Sequence, residues 1–347
     1  MDMILDARDE LILNTTTKSF VAQADNRGPH ITHLSNGAIS RLAPFSALII
    51  TIIFVIYFFI RFYLLEKYLL KKIYGEVYTS MNEITRRGFV NHHIAGTTKL
   101  AILIFAAYPF IDVAFGSSTL TSPYAGSTLV TQGDMLIVAA QALMAMYVFE
   151  LFYRPKISPV SAGHHIGTIM IGQSAIAISL NWIKESDATI EFILCAFDIV
   201  SEFLPHISII LYRVYPTSHD FLRKLFRISA LTTLTGTVAE TIVTMWLFGS
   251  LWPKWTLAFK VVTPMLHVLF MSCQMWGSWN FYKMYKRQER LLAISEGRLD
   301  DVEKLPKDTN ELNEPKNSNQ AQVSGTEVYP EESRVDSTDS APSYRSS

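Results

Sequence analysis

Several things are scarce in this sequence, and each shortage narrows what the chain is. Cysteine occurs twice in 347 residues, as Cys195 and Cys273. Both stand inside apolar stretches, so neither a disulfide framework nor a thiolate zinc site is available. Charge of one sign is not in surplus: 30 Lys and Arg face 31 Asp and Glu, a formal net charge of −1. That balance provides no electrostatic footprint for nucleic acid, and no nucleic-acid partner is expected. The opening, "MDMILDARDELILNTTTKSF", lacks the basic and apolar regions of a cleaved signal peptide, so the first apolar run is expected to act as an uncleaved anchor. No internal repeat is visible. The histidines form no HxxHH box, and no metal site is expected.

What the chain does have is apolar sequence, 49% of it, and strongly clustered. Runs with almost no charge cover 45–66, 98–116, 133–152, 165–184, 189–214, 226–250 and 256–283. Each is close to the roughly 20 residues a helix needs to cross about 30 Å of hydrocarbon. In lipid a backbone must satisfy its own hydrogen bonds, so these runs read as helices. The expected fold class is an all-α integral membrane protein with about seven transmembrane helices.

Basic residues alternate between the connecting segments. Lys67, Lys71, Lys72, Arg86 and Arg87 follow the first run, Arg154 and Lys156 the third, Arg213, Arg223, Lys224 and Arg227 the fifth, and Lys283, Lys286, Arg287 and Arg290 the seventh. By contrast "GSSTLTSPYAGSTLVTQGD" (116–134) holds no Lys or Arg. The positive-inside rule then places the amino terminus in the lumen and the carboxyl terminus in the cytosol. The expected organisation is a luminal tail over 1–44, an anchor helix over 45–72, a membrane domain over 90–290 and a disordered cytosolic tail over 295–347. The tail is rich in Asp, Glu, Asn, Ser and Pro and has too little apolar surface to fold. Asn14-Thr15-Thr16 is a glycosylation sequon on the luminal side, with Asn14 as the acceptor.

Ionisable groups inside the runs are costly and mark candidate sites. "CAFDIVSEFLPHIS" spaces Asp198, Glu202 and His206 at successive i,i+4 positions on one helix face, with Pro205 between them freeing the carbonyl of Ser201. Glu240 and His267 are isolated intramembrane groups, plausible partners for that cluster or for each other. Glu150 and Arg154 read as an i,i+4 pair at the membrane boundary; Asp112 and Asp134 read as structural. "SPVSAGHHIGTIMIGQSAIAISLNWI" (158–183) sets His164 and His165 at the threshold of an apolar run. On a helix His164 and Thr168 share a face, and His165 is turned about 100° away. A second pair, His92 and His93, opens the second run on the same side.

These residues resemble a known family. "ELFYRPKISPVSAGHHIGT" is similar to the centre of the TLC domain of ceramide synthases and the TRAM and CLN8 proteins, where an aromatic and basic stretch leads into His-His-x-x-Thr; His164, His165 and Thr168 match position by position. The resemblance covers roughly 90–290. It implies a six-helix bundle around a lipid-accessible cavity, preceded by an anchor helix. Ceramide synthases continue with His-Asp-x-x-Asp-x-x-x-Glu. Here "LCAFDIVSE" keeps Asp198 and Glu202 but has Leu194 and Cys195 in place of the His-Asp.

Three readings of function stand. The first is a membrane protein of the endoplasmic reticulum that binds, senses or handles a sphingolipid or related lipid, without catalysis and without a cofactor. His164, Thr168, Asp198, Glu202, His206, Glu240 and His267 would then face the lipid. The second is a lipid N-acyltransferase with acyl-CoA as co-substrate, in which His164 or His165 is base or nucleophile and Asp198 or Glu202 orients it. The third is a seven-helix G-protein-coupled receptor, disfavoured because no Asp-Arg-Tyr ends the third run and no cysteine is available in the outer loops.

Overall fold

The computed structural model describes residues 39–181, 198–250 and 252–297. Among the described residues it is helical with no strand, and the long helices are α1 (Ala43–Tyr74), α2 (Glu83–Ala114), α3 (Gln132–Tyr153), α4 (Pro159–Asn181), α5 (Asp198–Val214), α6 (His219–Ser250) and α7 (Leu257–Ser295). Five of these, α1, α2, α3, α6 and α7, are long and apolar enough to cross a membrane, as in a multi-pass membrane protein. The sequence suggested seven. α4 has the length, but its two histidines, its glutamine and its serines dilute its hydropathy, and the fifth run lies partly outside the described residues, which hold its apolar stretch Phe203–Val214. The asparagine of the sequon, Cys195 and the tail beyond residue 297 lie outside the described residues.

The helix ends follow local sequence. Asn82 caps α2 by accepting from the Thr85 N–H at 2.8 Å. α3 opens with a capping box, the Thr131 hydroxyl accepting from Asp134 N and Asp134 Oδ2 accepting from Thr131 N. It stops at Arg154, which is extended because Pro155 follows. Ser158 accepts from Ser161 N at 3.1 Å, and Pro159 occupies the first helical position of α4, where its missing N–H is harmless. The basic pair His92 and His93, expected at the mouth of its span, instead lies well inside α2, because the cap at Asn82 starts that helix earlier than the apolar run does.

α2 packs on α3 and α5, α3 on α4, α4 on α7, α7 on α6 and α6 on α5, which closes a circuit of six helices. α1 stands outside it, mainly against α3. Lipid tails are as apolar as leucine, so helices in a membrane associate through close packing and interhelical hydrogen bonds. The circuit has both. Ser208 and Ser229 share a hydrogen bond at 2.5 Å between α5 and α6, and Ser278 of α7 donates to the Ala230 carbonyl of α6 at 2.9 Å. Gly172 of α4 lies so close to Met144 of α3 that a Cβ there would stand 2.6 Å from its sulfur. The Tyr57 hydroxyl fastens α1 by donating to the Ala142 carbonyl and accepting from Thr98, each at 3.1 Å.

α1 changes register midway. Residues Ile60–Leu69 form a π-helix, whose i,i+5 spacing brings Arg61 and Glu66 together at 3.0 Å. Glu66 also accepts from the Tyr153 hydroxyl at the end of α3, while the Arg61 guanidinium lies 4.5 Å from that ring's centroid.

Candidate functional site

α3, α4 and α7 converge where the sequence placed the paired histidines. Both imidazoles are buried, His164 at 7% exposure and His165 at 8%. They pack inside the protein, because α4 starts five residues before His164 and carries both past its first turn. One aromatic ring organises both: Tyr147 of α3 stacks on His165 at 4.3 Å between centroids and 19° between planes, and meets His164 edge-on at 5.9 Å. On the other side Phe270 of α7 presents its edge to His164 at 5.1 Å. Gly167 makes that approach possible, since a Cβ on it would stand 3.1 Å from the Phe270 ring.

The carboxylate facing this pair is Glu150, one turn beyond Tyr147 on α3. Its Oε1 accepts from the Arg154 guanidinium at 2.5 Å, the i,i+4 pair read from the sequence. Its Oε2 lies 3.6 Å from His165 Nε2, an ion-pair contact whenever that imidazole is protonated. The pair therefore does more than mark a boundary. A carboxylate on Nε2 leaves Nδ1 as the nitrogen able to exchange a proton with a ligand, and Nδ1 is buried without a hydrogen-bond partner among the described residues. Thr168 is buried too, but its hydroxyl donates to the His164 carbonyl at 3.0 Å, so toward a ligand it offers only lone pairs.

A second imidazole pair joins α2 to α5. His92 Nδ1 and His206 Nδ1 are 3.0 Å apart and share one proton. Gly96, one turn further along α2, admits this approach, as a Cβ there would lie 3.6 Å from the His206 Cβ. His206 was expected to share its site with Asp198 and Glu202; its visible partner comes from another helix, and the side chains of Asp198 and Glu202 lie outside the described residues. His93 has a separate role. Its Nδ1 donates to the Phe89 carbonyl at 2.8 Å and its Nε2 accepts from the Tyr74 hydroxyl at 3.0 Å, so the ring is fully occupied in joining α1 to α2.

Glu240 takes a hydrogen bond from Gln274 of α7 at 3.0 Å, two turns beyond His267. His267 is half-buried, and its Nε2 lacks a partner among the described residues. Reading the sequence passed over Tyr147, Phe270, Lys99 and Gln141. A lysine within an apolar run was the one available signal, and Lys99 is buried at 1% with its ammonium 5.6 Å from the Tyr147 centroid. No group of three or more His, Cys, Asp or Glu among the described residues is arranged to hold a metal ion.

No family model matches the chain, and no curated protein or solved structure matches it either.

Proposed function

We propose that this chain is a seven-span membrane protein of the TLC type that binds and handles a lipid inside its six-helix circuit, the lipid's polar head meeting the histidine cluster. One observation carries this reading: two adjacent imidazoles are buried at the meeting of α3, α4 and α7, beside a carboxylate and with a ring nitrogen left over. Buried polar groups without partners are rare and call for a ligand or water. Ionisable groups inside spanning helices that point away from lipid mark substrate paths. The His-His-x-x-Thr resemblance supports the lipid class and the endoplasmic reticulum location. The alternating Lys and Arg segments support a luminal amino terminus and a cytosolic tail.

The test uses the purified full-length protein and a photoactivatable sphingosine or fatty-acid probe with a diazirine in its chain. The expected outcome is saturable labelling of α3, α4 and α7, competed by unlabelled lipid. Labelling spread over the outer face of α1, without competition, would sink the proposal. Orientation is tested separately by protease treatment of sealed microsomes, which should remove the tail and spare residues 1–38; the reverse pattern would invert the topology.

A second reading is favoured by one contact, Glu150 against His165. A carboxylate that orients an imidazole is the base arrangement of acyl transfer. With acyl-CoA and a sphingoid base, the amine nitrogen would attack the thioester carbon, its proton would pass to His165 Nδ1, and the C–S bond would break to release the thiol. Mixed micelles holding both substrates should then yield N-acyl product with the wild-type protein and none with His165→Gln. Equal product from both would remove the catalytic reading.

A further inference from the structure

Away from the imidazoles, a second polar cluster forms where α1 meets the ends of two circuit helices. Crossing a membrane, α1 climbs about 27 Å from Ala43 to Arg61, close to the thickness of the hydrocarbon, so Arg61 emerges at headgroup depth. Arg87 belongs to the opening turns of α2, and Tyr153 is the last residue of α3. Two guanidiniums share that one ring: the Arg61 Cζ lies 4.5 Å and the Arg87 Cζ 5.0 Å from the Tyr153 centroid. Their charges are not equally answered. Arg61 donates to Glu66 at 3.0 Å, and Glu66 also accepts from the Tyr153 hydroxyl. The carboxylate that faces Arg87 is Glu83, at 3.8 Å and beyond hydrogen-bonding distance, and the Arg87 Nε is buried with no acceptor among the described residues. Both arginine side chains stay partly open, 27% and 31% exposed, so an acceptor from outside the protein can reach them.

The π register of α1 belongs to the same cluster. Such turns are rare and concentrate at functional sites. Here the π segment delivers Arg61 to the ring and leaves Phe62, Tyr63 and Tyr68 exposed, with the Lys67 ammonium 4.5 Å from the Phe62 centroid. A guanidinium is a planar fork of donors that matches the oxygens of a phosphate two at a time. At headgroup depth the abundant group of that kind is the phosphate of a glycerophospholipid, and basic residues at the surface favour a headgroup of net negative charge. We infer that Arg61, Arg87 and Tyr153 form a site for the phosphate of an anionic glycerophospholipid, whose acyl chains lie along the exposed apolar face of α1. The site is separate from the histidine cluster and does not depend on what that cluster binds.

Native mass spectrometry of the full-length protein in a non-ionic detergent compares bound dioleoyl phosphatidic acid with dioleoylglycerol, which has the same chains and no phosphate. Phosphatidic acid should bind about tenfold more tightly, and excess inorganic phosphate should not displace it. Arg87→Gln should lower its affinity about tenfold and leave dioleoylglycerol unaffected. Lys283→Gln, at an exposed basic residue toward the end of α7, should leave both unchanged. Equal binding of the two lipids, full affinity in Arg87→Gln, or the same loss in Lys283→Gln overturns the site. Displacement by inorganic phosphate also overturns it, by assigning the guanidiniums to a soluble anion. Should Arg87→Gln not fold, Arg87→Lys takes its place, keeping the charge and losing the fork; a loss of about threefold is then expected, and none overturns the site.

Discussion

Helix α3 buries a carboxylate at each end, and the two are used in opposite ways. Asp134, at its start, accepts from Thr131 N at 2.9 Å and from the Ser40 hydroxyl at 2.5 Å, with Arg41 at 3.8 Å. Every one of those bonds holds the fold, closing the capping box and tying the start of α1 to α3. Glu150, near the other end, has one oxygen on Arg154 and the other facing an imidazole that retains an unpartnered nitrogen. The glycines differ in the same way. A Cβ on Gly133 would meet the backbone oxygens of Ile39 and Leu120, which cannot yield. A Cβ on Gly167 would meet only the edge of the Phe270 ring. At the first end both carboxylate oxygens are spent on the fold and the walls are backbone; at the second the carboxylate faces an imidazole with an unpartnered nitrogen, and the wall is a side chain that can shift.

Substitutions at the two ends should separate these roles. The largest effect is expected from Glu150→Ala, which removes the buried carboxylate that Arg154 and His165 both face and should lower stability by about 3 kcal/mol; thermal unfolding in detergent reads the loss, and lipid retention should fail with it. Gly133→Ala should cost about 2 kcal/mol by overpacking against backbone, with lipid retention per folded molecule unchanged. A ligand deficit in the folded Gly133→Ala protein would break the contrast. Tyr57→Phe, which removes the hydroxyl that fastens α1, should cost about 1 kcal/mol in the same measurement. Gly167→Ala should stay within about 0.5 kcal/mol because the Phe270 ring can shift by a few tenths of an ångström. Its effect should appear instead as altered labelling of α7 by the photoactivatable lipid.

Much of this was readable in the sequence because it is local. The Glu150–Arg154 pair follows from i,i+4 spacing, the stop at Arg154 from Pro155, and the shared face of His164 and Thr168 from helical period. The cap on α3 was also legible, since Thr131-x-x-Asp134 is a capping pattern, though its bond to Ser40 joins residues far apart in the chain. What escaped depends on which helices become neighbours. Tyr147 gains meaning only when α4 lays His165 against it, and Phe270 only when α7 closes on Gly167. The helical period that sets His206 on a face with Asp198 and Glu202 could not announce that His92 of α2 would also meet it. Lys99 was passed over inside a run counted as apolar, although a lysine in mid-span was itself a signal. The π-register of α1 leaves no periodic trace at all; only Arg61 and Glu66, five residues apart and paired, reveal it.

Mass spectrometry of the lipids retained by the purified protein bears most directly on the claim that the histidine end of α3 is built for a ligand. The unaltered protein and Asp134→Asn should each carry the same defined lipid class above the detergent background, while His165→Gln, which keeps a polar side chain in place of the imidazole, should lose it with its helical content intact. Identical lipid profiles in the unaltered protein and His165→Gln would contradict that assignment and reduce the buried imidazoles to packing.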